Sequence, residues 1–140
     1  MPSPASTAIT APKPAEQKIT INLGCVDLGQ IDLLVHEGFY ANRTDLIRTA
    51  IRNQLTRHAQ AVEQAATRKS LVLGIHHFGA EQLEAVRRAG QRLQIRVLGL
   101  ATIDNDVSPE LALAAIESVV VLGALQASPA VKAALASRIR

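Results

Sequence analysis

The chain has 140 residues, enough for one ordinary domain or two small ones, and its composition of 48% apolar and 19% charged residues is typical of a globular protein. A formal net charge of +3 fits nucleic-acid binding without requiring it. The single cysteine, Cys25, excludes an intramolecular disulfide framework and a cysteine-rich zinc site. No apolar run is long enough for a membrane-spanning helix, so no membrane partner is expected.

Residues 1–16 are rich in Ala, Pro, Ser and Thr, and they lack the basic and apolar regions of a signal peptide. We expect a disordered tail here and a cytoplasmic protein.

Residues 18–23 alternate between polar and apolar side chains, which is the pattern of a short β-strand. Three apolar residues share one face and three polar residues share the other: Ile19, Ile21 and Leu23 against Lys18, Thr20 and Asn22. A strand this short is not stable by itself, so it requires a partner.

Two amphipathic helices are predicted after this strand. The first runs from about Asp27 to His36 and ends at Gly38, which reaches left-handed backbone angles without steric cost. Asn42 is a good N-cap for the second helix, and Asp45 completes a capping box. The apolar residues of the second helix that we expect to face inward are Leu46, Ile47, Ala50, Ile51 and Leu55.

The sequence KITINL, the EGFY turn and ANRTDLIRTAIRNQL together resemble the ribbon-helix-helix DNA-binding family, of the CopG, Arc and methionine-repressor type. The resemblance covers residues 18–57 and implies a domain over residues 17–58. It implies that two chains pair their strands into an antiparallel ribbon, which enters the major groove of double-stranded DNA. Such a protein would be an obligate homodimer, which provides the missing partner for the strand.

The resemblance also implies which residues contact DNA. The outward strand residues Lys18, Thr20 and Asn22 would contact base edges, for which their donors and acceptors are suited. The start of the second helix would hold a phosphate group through Asn42, Arg43 and Thr44.

The second half of the chain contains an internal repeat. Residues 59–69 either extend the second helix or form a linker, and residues 70–140 then contain the words LVLG, RVLG and VVLG at spacings of 25 and 24 residues. A helical segment follows each word: EQLEAVRRAGQRL, PELALAAIES and PAVKAALASRI. Ser108-Pro109 and Ser128-Pro129 are good starts for the second and third of these helices. We expect three β-α units with parallel strands.

These units loosely resemble a short leucine-rich-repeat-like solenoid, and an open parallel sheet is the rival arrangement. The fold class is therefore a two-part α/β chain. We expect residues 70–140 to serve in oligomerisation, with a tetramer or higher assembly as one option, or in sensing.

Candidate metal and catalytic sites are weak. His76 and His77 are adjacent, so on a strand they point to opposite faces. Asp104-Asn105-Asp106 precedes a helix start, where such residues usually form turns, and Cys25 has no base beside it. We expect no metal, no cofactor and no enzymatic activity.

The preferred hypothesis is a nucleoid-associated, sequence-specific transcriptional regulator, acting as a repressor. The alternative is an antitoxin-like protein whose repeats bind a partner protein. A role in DNA partition or nucleoid structuring stays open as a third possibility.

Overall fold

The computed structural model describes residues 16–140, so residues 1–15 of the predicted tail lie outside the described residues. The described part is a mixed α/β chain with six helices and three strands. In chain order these are α1 Cys25–His36, α2 Arg43–Arg57, α3 Ala59–Arg68, β1 Val72–Phe78, α4 Ala80–Arg88, β2 Leu93–Ile103, α5 Pro109–Ala115, β3 Ile116–Gln126 and α6 Pro129–Leu135.

The chain divides into two compact units. The helical unit, residues 18–65, contains α1, α2 and the first part of α3. The repeat unit, residues 66–140, contains the rest. Residues 16–24 belong to no helix or strand. Because a strand is defined by hydrogen bonds to a neighbour, the strand over residues 18–23 stays a prediction about a pair of chains.

The repeat unit contains a parallel sheet in the order β1-β2-β3, as the repeated words predicted. The words lie side by side, because Gly74 pairs with Gly99 and Gly99 with Gly123. All three glycines have positive φ, at 130°, 137° and 121°. A Cβ on Gly99 would meet the carbonyl oxygen of Gly74 well inside contact distance, and a Cβ on Gly123 would meet that of Gly99 in the same way. Close approach of the strands therefore requires glycine at these two positions.

The helices of the repeat unit pack on one face of this sheet. Alternate residues of β2 join side chains of α4, α5 and α6 in one buried cluster, which includes Ile95, Val97, Ala101, Leu83 and Leu135. Both Ser-Pro helix starts are confirmed: the Ser108 hydroxyl accepts a hydrogen bond from Leu111 N–H at 3.1 Å, and the Ser128 hydroxyl accepts one from Val131 N–H at 3.2 Å.

The predicted repeat helices were too long. The first ends at Arg88 rather than Leu93, because Gly90 follows it with φ 70°. The second ends at Ala115, and β3 starts at Ile116, four residues before the predicted word. Ile116 and Val119 are buried in the core, where β-branched side chains favour an extended backbone. The third ends at Leu135, and Ile139 bridges to Val119 instead of ending a helix.

No helix among residues 16–140 has the length and apolar character needed to cross a membrane.

Candidate nucleic-acid interface

Residues 18–23 are the segment on which the predicted base contacts lie. Lys18, Thr20 and Asn22 are all exposed. The intervening apolar residues are exposed as well, with Ile19 at 76% and Ile21 at 57%. Polar exposure is ordinary, but exposure of a whole apolar face is not. The segment therefore has an apolar face that this single chain does not cover.

The turn between α1 and α2 follows the sequence prediction. Gly38 has φ 86°, in the left-handed region that ends many helices. The N–H groups of Gly38 and Phe39 donate to the carbonyl oxygens of Val35 and Leu34, at 3.1 and 3.0 Å. These bonds satisfy carbonyl groups left free at the end of α1. Phe39, the residue after Gly38 in this turn, is exposed in the single chain.

The N-terminus of α2 is held by the predicted cap. The Asn42 Oδ1 atom accepts a hydrogen bond from Asp45 N–H at 2.8 Å. The Asp45 Oδ2 atom accepts a hydrogen bond at 2.9 Å from the N–H of Ala41, which lies one residue before the N–H that a standard capping box uses. The N–H groups of Arg43 and Thr44 precede the first intrahelical bond and have no acceptor among the described residues. They are the groups that a phosphate at this helix end would meet.

An ion pair joins α1 to the start of α2, and the sequence did not predict it. The Arg43 guanidinium donates through Nε to Asp32 Oδ1 at 2.7 Å and through Nη2 to Asp32 Oδ2 at 2.8 Å. These hydrogen bonds and the charge of Arg43 lower the pKa of Asp32, and the same pairing raises the pKa of Arg43. The Arg43 side chain, predicted as a phosphate contact, is thus paired with the Asp32 carboxylate. The two residues are 11 apart, so only the packing of α1 on α2 brings them together.

No residue of the helical unit is buried. Five apolar side chains on α1 and α2 are half-buried: Leu28, Ile31, Val35, Leu46 and Ile47. The other three residues predicted to face inward on α2, Ala50, Ile51 and Leu55, are exposed. A folded unit without a buried core lacks the apolar burial that normally stabilises a domain.

The net positive charge does not lie in this unit. Residues 18–65 contain five Lys and Arg and five Asp and Glu, whereas residues 66–140 contain nine and six. Within the helical unit the basic residues are concentrated on α2, which carries four arginines and one aspartate. Attraction of this unit to a nucleic acid would therefore depend on where its charges lie and not on its net charge.

The other candidate residues lie in three separate segments within residues 16–140. No three His, Cys, Asp or Glu side chains of residues 16–140 come together as metal ligands would. Asp106 Oδ1 accepts a hydrogen bond from Ala80 N–H at 3.2 Å at the start of α4, so this loop has a structural role. Cys25, the first residue of α1, is exposed.

A family model described as the ribbon-helix-helix transcriptional regulator family matches residues 14–132. The chain belongs to this family. The match extends far beyond residues 18–57, where the resemblance was seen, and includes the three strands and most of α6. The repeat unit is thus part of what the family model describes. No curated protein and no solved structure has significant similarity to the chain.

Proposed function

We propose that this DNA-binding regulator is a homodimeric, nucleoid-associated repressor, in which residues 18–23 of two chains pair as an antiparallel ribbon that reads the major groove. The exposed apolar face of this segment carries the proposal. Ile19, Ile21 and Leu23 alternate with polar residues in the sequence, and all three are exposed in a single chain. Pairing of two chains would satisfy the backbone groups and cover these side chains against the helices of the dimer.

In such a ribbon the polar residues face the base pairs. Lys18 donates to O6 and N7 of guanine, Asn22 forms two hydrogen bonds with adenine, and Thr20 meets a base edge or a thymine methyl group. These three side chains carry the sequence selectivity.

Phosphate contacts fix the position of the dimer on the duplex. The unpaired N–H groups of Arg43 and Thr44 at the start of α2 support this role. The Asn42 side-chain oxygen Oδ1 caps the helix, so only the side-chain NH₂ group is available to a phosphate. Because the Arg43 guanidinium is paired with Asp32, Arg43 contributes its backbone N–H to the phosphate contact.

The test begins with selection of a binding site from duplexes that contain a random core. The variant Lys18→Ala/Thr20→Ala/Asn22→Ala should bind the selected site at least ~100-fold more weakly, because each base contact is worth about 1–3 kcal/mol. Circular dichroism and thermal unfolding check that it is folded. Unchanged selection by this folded variant would disprove the ribbon model.

The matched control replaces the same three residue types at exposed positions of the repeat unit, Thr67→Ala/Asn105→Ala/Lys132→Ala. It removes the same positive charge, and we expect it to bind the selected site as the native protein does. Placing the selected site over a promoter in a reporter strain then tests repression, since an increase in transcription would contradict that role.

Exposed apolar side chains on the repeat unit, such as Leu73 and Ile75, favour a second candidate function, antitoxin-like binding of a different protein. A dedicated partner would co-purify in fixed stoichiometry with the native chain, and it would be lost from the variant Leu73→Glu but not from Leu113→Glu on the helix side.

A further inference from the structure

We propose that the sheet face opposite the helices is covered by the same face of a second copy of this chain. We call it the open face. It consists of two rows of residues across the three strands: Leu73, Leu98 and Leu122, and Ile75, Leu100 and Ala124.

Strand alternation defines this face. Val97 and Ala101 belong to the buried cluster with the helices, so Leu98 and Leu100 between them point to the other side of β2. Leu73 is 73% exposed and Leu122 is 51% exposed, whereas Leu100 between the two outer strands is buried. The open face is therefore a continuous apolar surface around a central leucine.

Parallel sheets rarely leave one face in water. Their strands are stabilised by layers on both sides, and one-sided burial is characteristic of antiparallel sheets. In the repeat unit α4, α5 and α6 all contribute to the single cluster on one face. The outer residues of the two rows, Leu73, Ile75 and Leu122, are exposed in the single chain. A second layer from another molecule would complete the usual architecture.

One margin of the open face is polar, and the other contains Arg96 beside the apolar Val120. His77, Thr102 and Gln126 form the next row towards the ends of the strands. The Thr102 Oγ1 atom is buried without a hydrogen-bond partner. At the other margin, Arg96 donates to the carbonyl oxygen of Lys69 at 2.6 and 3.0 Å, which holds its charge at the rim. An apolar centre bordered by polar residues at one margin and by an arginine at the other is compatible with a protein–protein interface.

The neutrality of the open face favours a second copy as its occupant. In a two-fold symmetric contact each patch meets itself, so a charged patch would repel its own copy. The two apolar rows contain no charged residue. They can therefore pack on each other without unpaired charges.

The size of the open face indicates how the second copy is supplied. Two rows across three strands cover roughly 200 Å² per chain, given the ordinary spacings within a sheet. A stable interface usually requires about 800 Å² per partner. The contact thus needs a high local concentration, which a dimer formed by residues 18–23 provides. In this respect the inference rests on the proposed function.

The test uses full-length protein in which Cys25→Ser removes the only native thiol. Leu122→Cys introduces a thiol on the open face, and Leu113→Cys introduces one on the helix side, where Leu113 is 36% exposed. If the second copy covers the open face, a maleimide should label the thiol at position 122 at least ~10-fold more slowly than the one at 113, although the isolated chain exposes residue 122 more.

Oxidation of the introduced thiols to a disulfide between two chains provides the second measurement, because it needs no bulky reagent to enter the covered face. Leu98→Cys lies on the middle strand and should give cross-linked pairs of chains, whereas Leu113→Cys should not. Leu73→Cys, at the most exposed position of the open face, replaces Leu98→Cys if that variant fails to fold. Fast labelling at position 122 without cross-linking at 98 or 73 would overturn the inference.

These outcomes separate the two proposals. Cross-linking through the open face, combined with no sequence preference in the DNA selection, would reject the DNA-reading model and support the second copy. An open face that labels fast in a protein that selects a DNA site would reject the second copy alone.

Discussion

The three paired glycines of the sheet, Gly74, Gly99 and Gly123, give a prediction whose size follows from the structure. Gly99→Ala places a methyl group against the Gly74 carbonyl oxygen, at a backbone φ of 137°. The unfavourable backbone conformation costs about 1–3 kcal/mol. Relief of the overlap requires β1 and β2 to separate, which weakens roughly two ladder hydrogen bonds of about 1 kcal/mol each. The free energy of unfolding should fall by about 3–5 kcal/mol.

Gly74→Ala is the matched control for this change. Gly74 occupies the same place in its repeat and has φ 130°, but the nearest atom to an added Cβ is His76 Nε2 at 3.7 Å. It should lose only the conformational part, about 1–3 kcal/mol. Urea unfolding at one fixed protein concentration, followed by circular dichroism, measures both variants. Equal losses for Gly74→Ala and Gly99→Ala would refute the conclusion that close approach of the strands requires glycine.

Three further predictions concern caps, pH and charge. Ser128→Ala removes the cap of α6 and should lower the free energy of unfolding by about 1 kcal/mol in the same assay, whereas Ser137→Ala, after that helix, should change it little. The pKa of Asp32 is lowered in the folded chain, so its pair with Arg43 stabilises the helical unit above the unfolded-state pKa, and this contribution is lost as pH falls through the lowered value. Unfolding followed against pH should therefore show an extra loss of stability below about pH 4 in the native protein that Asp32→Asn lacks, and an identical acid profile for the two would contradict this. Asp32→Asn also frees the Arg43 guanidinium, so the slope of log binding constant against log salt concentration should steepen by up to about 0.9, the value of one added phosphate contact. The charge-matched control Asp27→Asn should steepen this slope less than Asp32→Asn does.

Local patterns in the sequence predicted the features that depend on neighbouring residues. Gly38, Asn42 and the two Ser-Pro helix starts have the roles that their residue types indicated. The repeated words also predicted three parallel strands. Caps and turns follow from a few adjacent side chains, and a repeat makes the same interactions several times, so both leave a readable signal.

The features that sequence reasoning missed depend on packing between distant segments. The Asp32–Arg43 pair needs α1 and α2 to be in place, and no spacing rule connects the two residues. The start of β3 at Ile116 was missed because a short run after an Ala-rich helix is compatible with either helix or strand, and burial decides between them. The sequence showed that each repeated word ends in glycine. Only the register showed that each of the second and third glycines lies against the carbonyl oxygen of the glycine on the preceding strand.

The two units differ in what stabilises them, and this difference bears on how the regulator responds to its own concentration. The repeat unit has a buried core, whereas the helical unit has none and exposes the face formed by Ile19, Ile21 and Leu23. If residues 18–23 of two chains pair as proposed, folding of the helical unit is coupled to pairing, and dilution should abolish DNA binding before it unfolds the sheet. If the ribbon forms as proposed, it joins two open faces in one dimer, and the raised effective concentration favours a contact between patches too small to associate alone. Pairing of the ribbon and contact of the open faces would thus reinforce each other, and Leu73→Glu should weaken dimerisation although it lies outside the DNA-binding segment.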